Sequence, residues 1–137
     1  MTDSPLASEY RLRNLYCELF EHLDRDLLES IFDPVAPQRS AYPVLHHIWQ
    51  RRGPHSDCRS NFLMVCDPIH RWLHVETVLG HVVCSWVNRR KGEMNLDDLR
   101  LSAGFSVSGW LDTDKVRTAT ESVPWIDEMR LDLLETL

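Results

Sequence analysis

Lysine is nearly missing from this chain. Only Lys91 and Lys115 occur in 137 residues, and arginine supplies the rest of the 15 basic side chains. Against 21 acidic residues the formal net charge is −6, so the surface lacks the positive field that non-specific nucleic-acid or anionic-membrane binding requires. Glycine is also scarce. The five glycines are scattered, which leaves no phosphate-cradling loop and no dinucleotide-binding fingerprint. No apolar run approaches the roughly 20 residues that span a bilayer. Met1 to Glu9 has neither the basic nor the apolar region of a secretory signal. The expectation is a soluble, cytoplasmic protein that binds neither nucleic acid nor membrane. Cys17, Cys58, Cys66 and Cys84 are even in number, but a chain of this length buries about two thirds of its unfolded surface without staples. In a reducing compartment they stay thiols.

What is present is an ordinary core-forming composition, 43% hydrophobic, expected to make one globular domain over 1–137 with a short flexible tail at 1–7. The fold class expected is mainly α, with α+β possible: about five helices and a minor β element near 105–111. Ser8 can cap a helix with Leu12, Leu15, Tyr16, Leu19 and Leu23 on one stripe. Asp24 can cap a second with Leu27, Leu28, Ile31 and Phe32, ending before Pro34. Val44, Leu45, Ile48 and Trp49 give another helical face, stopped by Gly53 and Pro54. The run Phe62 to Cys66 favours a buried strand, although periodicity alone does not separate strand from helix for 60–66 or for 74–88. Asp67-Pro68 starts a helix that Trp72, Val75, Leu79, Val82 and Trp86 carry to about Asn88. Asn95 can cap a short helix to Leu101; Phe105, Val107 and Leu111 alternate as a strand, and Ser122 opens a last helix with Ile126, Met129, Leu133 and Leu137.

The densest group of metal-capable side chains is His55, Cys58, Cys66, His70 and His74. Thiolates and neutral imidazoles suit zinc, and His55-x2-Cys58 with Cys66-x3-His70 would supply two ligand pairs; His70 and His74, one helical turn apart, form an alternative pair. The spacing differs from that of zinc fingers, and ordinary buried cysteines with surface histidines are the plainer account. His70-Arg71-Trp72-Leu73-His74 has the histidine spacing of a metalloprotease helix but carries arginine where the catalytic glutamate belongs. His46 and His47, placed on a helix, diverge by about 100° and would not hold one ion together.

Other chemistry is thinly supported. Neither Ser106 nor Ser108 has the flanking glycines of a nucleophile elbow. Cys66 with His70, or Cys17 with His22, could make a thiol–imidazole dyad only if the fold brought them together. Asp97-Asp98 and Asp112-x-Asp114 lack the glycine and final glutamate of a calcium loop. Five tryptophans in so small a chain should not all be buried. Aromatic and arginine side chains are enriched at interfaces, so Trp110, Trp125, Arg51 and Arg52 are the candidate partner-binding residues.

Through Arg13-Asn14-Leu15-Tyr16, Leu23-Asp24 and Asn61-Phe62-Leu63, the first 79 residues resemble the helical death-fold adaptor modules. The aspartate such modules carry near their last helix is missing around Arg71, where Trp72-Leu73 follow, so no functional residue is carried over. The function expected is a small non-enzymatic protein-binding or regulatory protein, adaptor- or inhibitor-like, whose partner is another protein or a second copy of itself. The alternatives are a zinc-stabilised binding module using His55, Cys58, Cys66 and His70, and a small thiol-dependent enzyme. No cofactor is expected other than that zinc.

Overall fold

A computed structural model describes residues 4–32, 43–49 and 55–137. In chain order it contains α1 (Pro5–Arg13), α2 (Glu18–His22), α3 (Arg25–Phe32), β1 (Val44–His47), a short 3-10 turn (Arg59–Asn61), β2 (Phe62–Val65), α4 (Asp67–Val75), α5 (Thr77–Arg90), α6 (Leu96–Ala103), α7 (Val107–Leu111), α8 (Asp114–Glu121) and α9 (Pro124–Thr136). The fold is mainly α with a minor β element, a two-stranded antiparallel sheet.

The described residues form nine helices where about five were expected, because two long periodic stretches are cut. The first helix starts at Pro5, with the Ser4 hydroxyl accepting the Ala7 N–H at 3.2 Å, and ends at Asn14. The Ser8 start is therefore four residues late, and Leu12, Leu15 and Tyr16 do not join a buried stripe; they are exposed. The second stretch is cut at Glu76, whose φ of −96° and ψ of 67° separate α4 from α5.

The sheet lies elsewhere than expected. Residues 44–47 are strand, not helix, and 107–111 are helix, not strand. In the first case, pairing with β2 outweighs the helical spacing of Val44, Leu45 and Ile48, since a short segment takes the form its neighbour can hydrogen-bond. In the second, Ser106 faces the amide of Gly109 and accepts its N–H at 3.3 Å, so a residue read as the outer face of a strand is a helix cap. Asn95 caps α6 as expected, accepting the Asp98 N–H at 3.1 Å. Ser122 does not cap α9: its hydroxyl donates back to the Ala119 carbonyl, and Val123 holds the cap position. The Phe62–Val65 strand is fully buried, as its unbroken apolar run implies.

Around α5 the core closes. Val82, Val83 and Val87 are buried among Ile69 and Leu73 of α4 and Ile126, Met129 and Leu133 of α9. The α4–α5 approach is close enough that a Cβ at Gly80 would sit 2.9 Å from Leu73 Cδ2, so glycine is what lets the two helices meet there.

A charged network ties the amino-terminal helices to this core. Glu18 of α2 is buried, and its Oε2 accepts from the Tyr10 hydroxyl at 2.5 Å and from the Met64 N–H at 2.8 Å. Its Oε1 meets Lys91 Nζ at 2.6 Å, and Lys91 also donates to the Tyr10 hydroxyl. Burial, then the Glu18 charge, holds the Tyr10 phenol protonated far above its ordinary range.

Candidate metal centre

Strand alternation decides which of two adjacent histidines can reach α4. In β1, His46 is paired with Leu63 and His47 with Phe62, so their side chains leave opposite faces of the sheet. His47 Nε2 meets Asp57 Oδ1 at 2.8 Å, and its ring packs edge-on against Phe62 at 5.4 Å. His46 is 8% exposed and turns toward α4, with ring centroids 5.3 Å from His70 and 5.7 Å from His74. His46 and His47 stand on a strand, not on the helix expected for them.

Helix α4 supplies the other two imidazoles. Pro68 sits in its first turn, where no N–H donor is needed. His70 and His74 then fall one turn apart with Nε2 atoms separated by 3.0 Å. One ligand nitrogen from each of His46, His70 and His74 lies within 4.8 Å of the others, so the three could hold a metal ion. Tetrahedral zinc with Zn–N bonds of about 2.0–2.1 Å places its nitrogens about 3.4 Å apart. The His74 ring is exposed and the His70 ring half-buried.

The protonation states match. Burial first, and then the neighbouring His70 and His74, push the His46 pKa down to about 3; burial also lowers those of His70 and His81. A neutral imidazole is the form that offers a lone pair to a metal. In the metal-free protein, His46 binds no proton between its folded value near 3 and the unfolded value of 6.5, while the unfolded chain does. Stability contributed by neutral His46 is thus present above pH 6.5 and lost as pH falls toward 3. His46→Gln removes this titration. The wild type is expected to lose about 2–4 kcal/mol more than the variant between pH 7 and 4 in urea unfolding; parallel profiles would remove His46 as the cause.

The three histidines open onto a cavity of about 390 Å³ walled by Leu45, Ile48, Trp49, Leu73, Gly80 and His81. Its far wall is fixed by Asn61, which accepts the Trp49 N–H at 2.7 Å through Oδ1, accepts the Ile48 N–H at 2.9 Å through its carbonyl, and donates to the Ser56 carbonyl at 2.8 Å. Trp49 stacks on His81 with centroids 4.3 Å apart and planes 10° apart.

The expected Cys/His cluster is dispersed. His55 is exposed and Cys58 half-buried, the latter near Ser102 and Asp98. Cys66 is buried at the cap of α4, facing Cys17. Among the described residues no converging group of three includes any of these, whereas His70 and His74 stay together and gain His46. The thiols of Cys17, Cys58 and Cys84 are all pushed upward, for Cys17 by the hydrogen bond with Cys66 and then burial, for the other two by burial. That is the reverse of the lowered pKa a nucleophilic thiol needs. Trp110 turns its edge to Trp49 and His81 at 5.3 and 5.6 Å, and Trp125 packs half-buried on the core. Arg51 and Arg52 lie outside the described residues. His46 joins the pair because Val44-Leu45-His46-His47 is strand, whereas the spacing of Val44, Leu45, Ile48 and Trp49 points to a helix.

No family model, no curated protein and no solved structure matches this chain. The likeness to death-fold modules gains nothing from the fold either, since Asn61 ends a 3-10 turn and Phe62-Leu63 are strand where an all-helical module has helix.

Proposed function

We propose that this protein binds a divalent transition metal such as zinc at an open three-histidine centre made by His46, His70 and His74. The observation that carries this is the convergence of three imidazole nitrogens, within 4.8 Å, from a strand and a helix at the mouth of a cavity. Imidazole suits zinc among the available ions, and three protein ligands leave a fourth position for water or a small ligand, unlike a closed four-ligand structural site. Titration of the metal-free protein with zinc against a competing chelator is expected to give one ion per chain. Saturation at about a hundredfold excess over Kd should stabilise the fold by about 2.7 kcal/mol. Weak binding with fractional stoichiometry would count against the centre.

A second reading is a non-enzymatic protein-binding or regulatory role, with another protein or a second copy as partner. It is favoured by Leu12, Leu15 and Tyr16, 76, 61 and 50% exposed at and just beyond the end of α1, since adjoining exposed apolar side chains mark interaction surfaces. If the partner is a second copy, sedimentation is expected to show a wild-type dimer and a monomeric L12E/L15E double variant. A wild type that stays monomeric at high concentration would exclude self-association through this surface.

A further inference from the structure

We infer that the zinc-loaded protein hydrolyses small esters with an apolar acyl or aryl group, with His81 handling the proton; this rests on the three-histidine centre proposed above. The cavity beside the histidines carries the argument. Besides the histidines, its described lining is mostly apolar. Leu45, Ile48, Leu73 and Trp49 offer apolar wall to an acyl or aryl group, and the volume of about 390 Å³ is that of a small-molecule site.

His81 supplies what a bare metal site lacks. One ring nitrogen is engaged by the Ile48 backbone and the ring is clamped on Trp49, which sets its orientation and leaves the other nitrogen as an acceptor. It belongs to the same cavity as the three ligands without belonging to the converging group. An ion held by His46, His70 and His74 would lower the pKa of a bound water to about 7 and stabilise charge developing on the carbonyl oxygen. The water oxygen would form a bond to the acyl carbon. The bond from carbon to the alcohol oxygen then breaks, and His81 passes to the departing oxygen the proton it took from water. One water is consumed, a carboxylic acid and an alcohol are released, and nothing is oxidised or reduced.

The test uses the full chain and p-nitrophenyl acetate. The zinc-loaded protein is expected to exceed both the metal-free protein and equimolar free zinc by about a hundredfold. His81→Phe, which preserves a ring against Trp49, is expected to lose about tenfold of that rate with zinc affinity unchanged, a modest loss because water at the cavity mouth also carries protons. Cobalt(II) in place of zinc gives a readout independent of turnover: its visible spectrum should change when azide fills the fourth position. Tight zinc binding with a rate equal to that of free zinc overturns the hydrolysis and leaves the metal centre standing. No zinc binding removes both, and an H81F rate equal to wild type overturns the role given to His81.

Discussion

Glu18→Ala is expected to cost about 3–5 kcal/mol of folding stability, a large share of what a domain this size possesses. The carboxylate is 3% exposed and its Lys91 partner 9%, so removing it strands an ammonium group in the interior. It also leaves the Met64 N–H without its side-chain acceptor and the Tyr10 hydroxyl with only the long 3.4 Å contact to the Phe62 carbonyl. The loss comes mainly from the groups left behind, which sets up a sharper expectation. Exchanging both members of the pair, as Glu18→Met with Lys91→Met, should recover most of the stability, because an apolar pair can replace a buried ion pair at little net cost. Urea unfolding of the two single variants and the double variant gives the coupling directly. Purely additive losses would mean that the two side chains do not depend on each other, contrary to the 2.6 Å contact.

His46→Ala is expected to weaken zinc binding by at least about a hundredfold. Loss of a group that merely orients a ligand already costs 10–100-fold, and here one of the three proposed ligands is removed. His74→Ala should behave alike, although His74 is exposed and its replacement leaves folding almost untouched. That makes it the cleaner variant. Cys58→Ala and His55→Ala should bind zinc as the wild type does, since neither residue approaches the converging nitrogens. If Cys58→Ala abolished binding while His46→Ala spared it, the ion would belong to the Cys/His cluster suggested by sequence spacing.

Long-range pairing accounts for what the sequence concealed. His70 and His74 were legible as a pair because their relation is local: four residues along a helix announced by Asp67-Pro68. The buried strand Phe62–Val65 was legible from an apolar run too short for a helix. His46 was not, because its side-chain direction depends on β1 pairing with a partner more than a dozen residues away, and Val44, Leu45 and Ile48 satisfy helical spacing equally well. Ser106 misled for the opposite reason, since alternation of Phe105 and Val107 resembles a strand until the serine is seen to accept the Gly109 N–H. The cysteines misled by proximity in sequence. Cys66 lies three residues before His70's neighbour Ile69, yet the start of α4 carries its sulfur to Cys17. The Glu18–Lys91 pair joins residues separated by most of the chain, and no local pattern encodes it.

The pairing of His46 with Leu63 has a consequence for how the chain reaches one structure. Slipping β1 by a single residue against β2 would reverse its faces, turning His46 toward Asp57 and presenting His47 to α4 from a displaced position. The Asn61 contacts to Ile48 and Trp49 and the burial of Leu45 also favour the native alignment of these four-residue strands. A metal ion that requires the His46 nitrogen beside those of His70 and His74 binds the correct alignment and not the shifted one, so it would act as a proofreader of strand alignment, and zinc present during refolding should raise the yield of the native form.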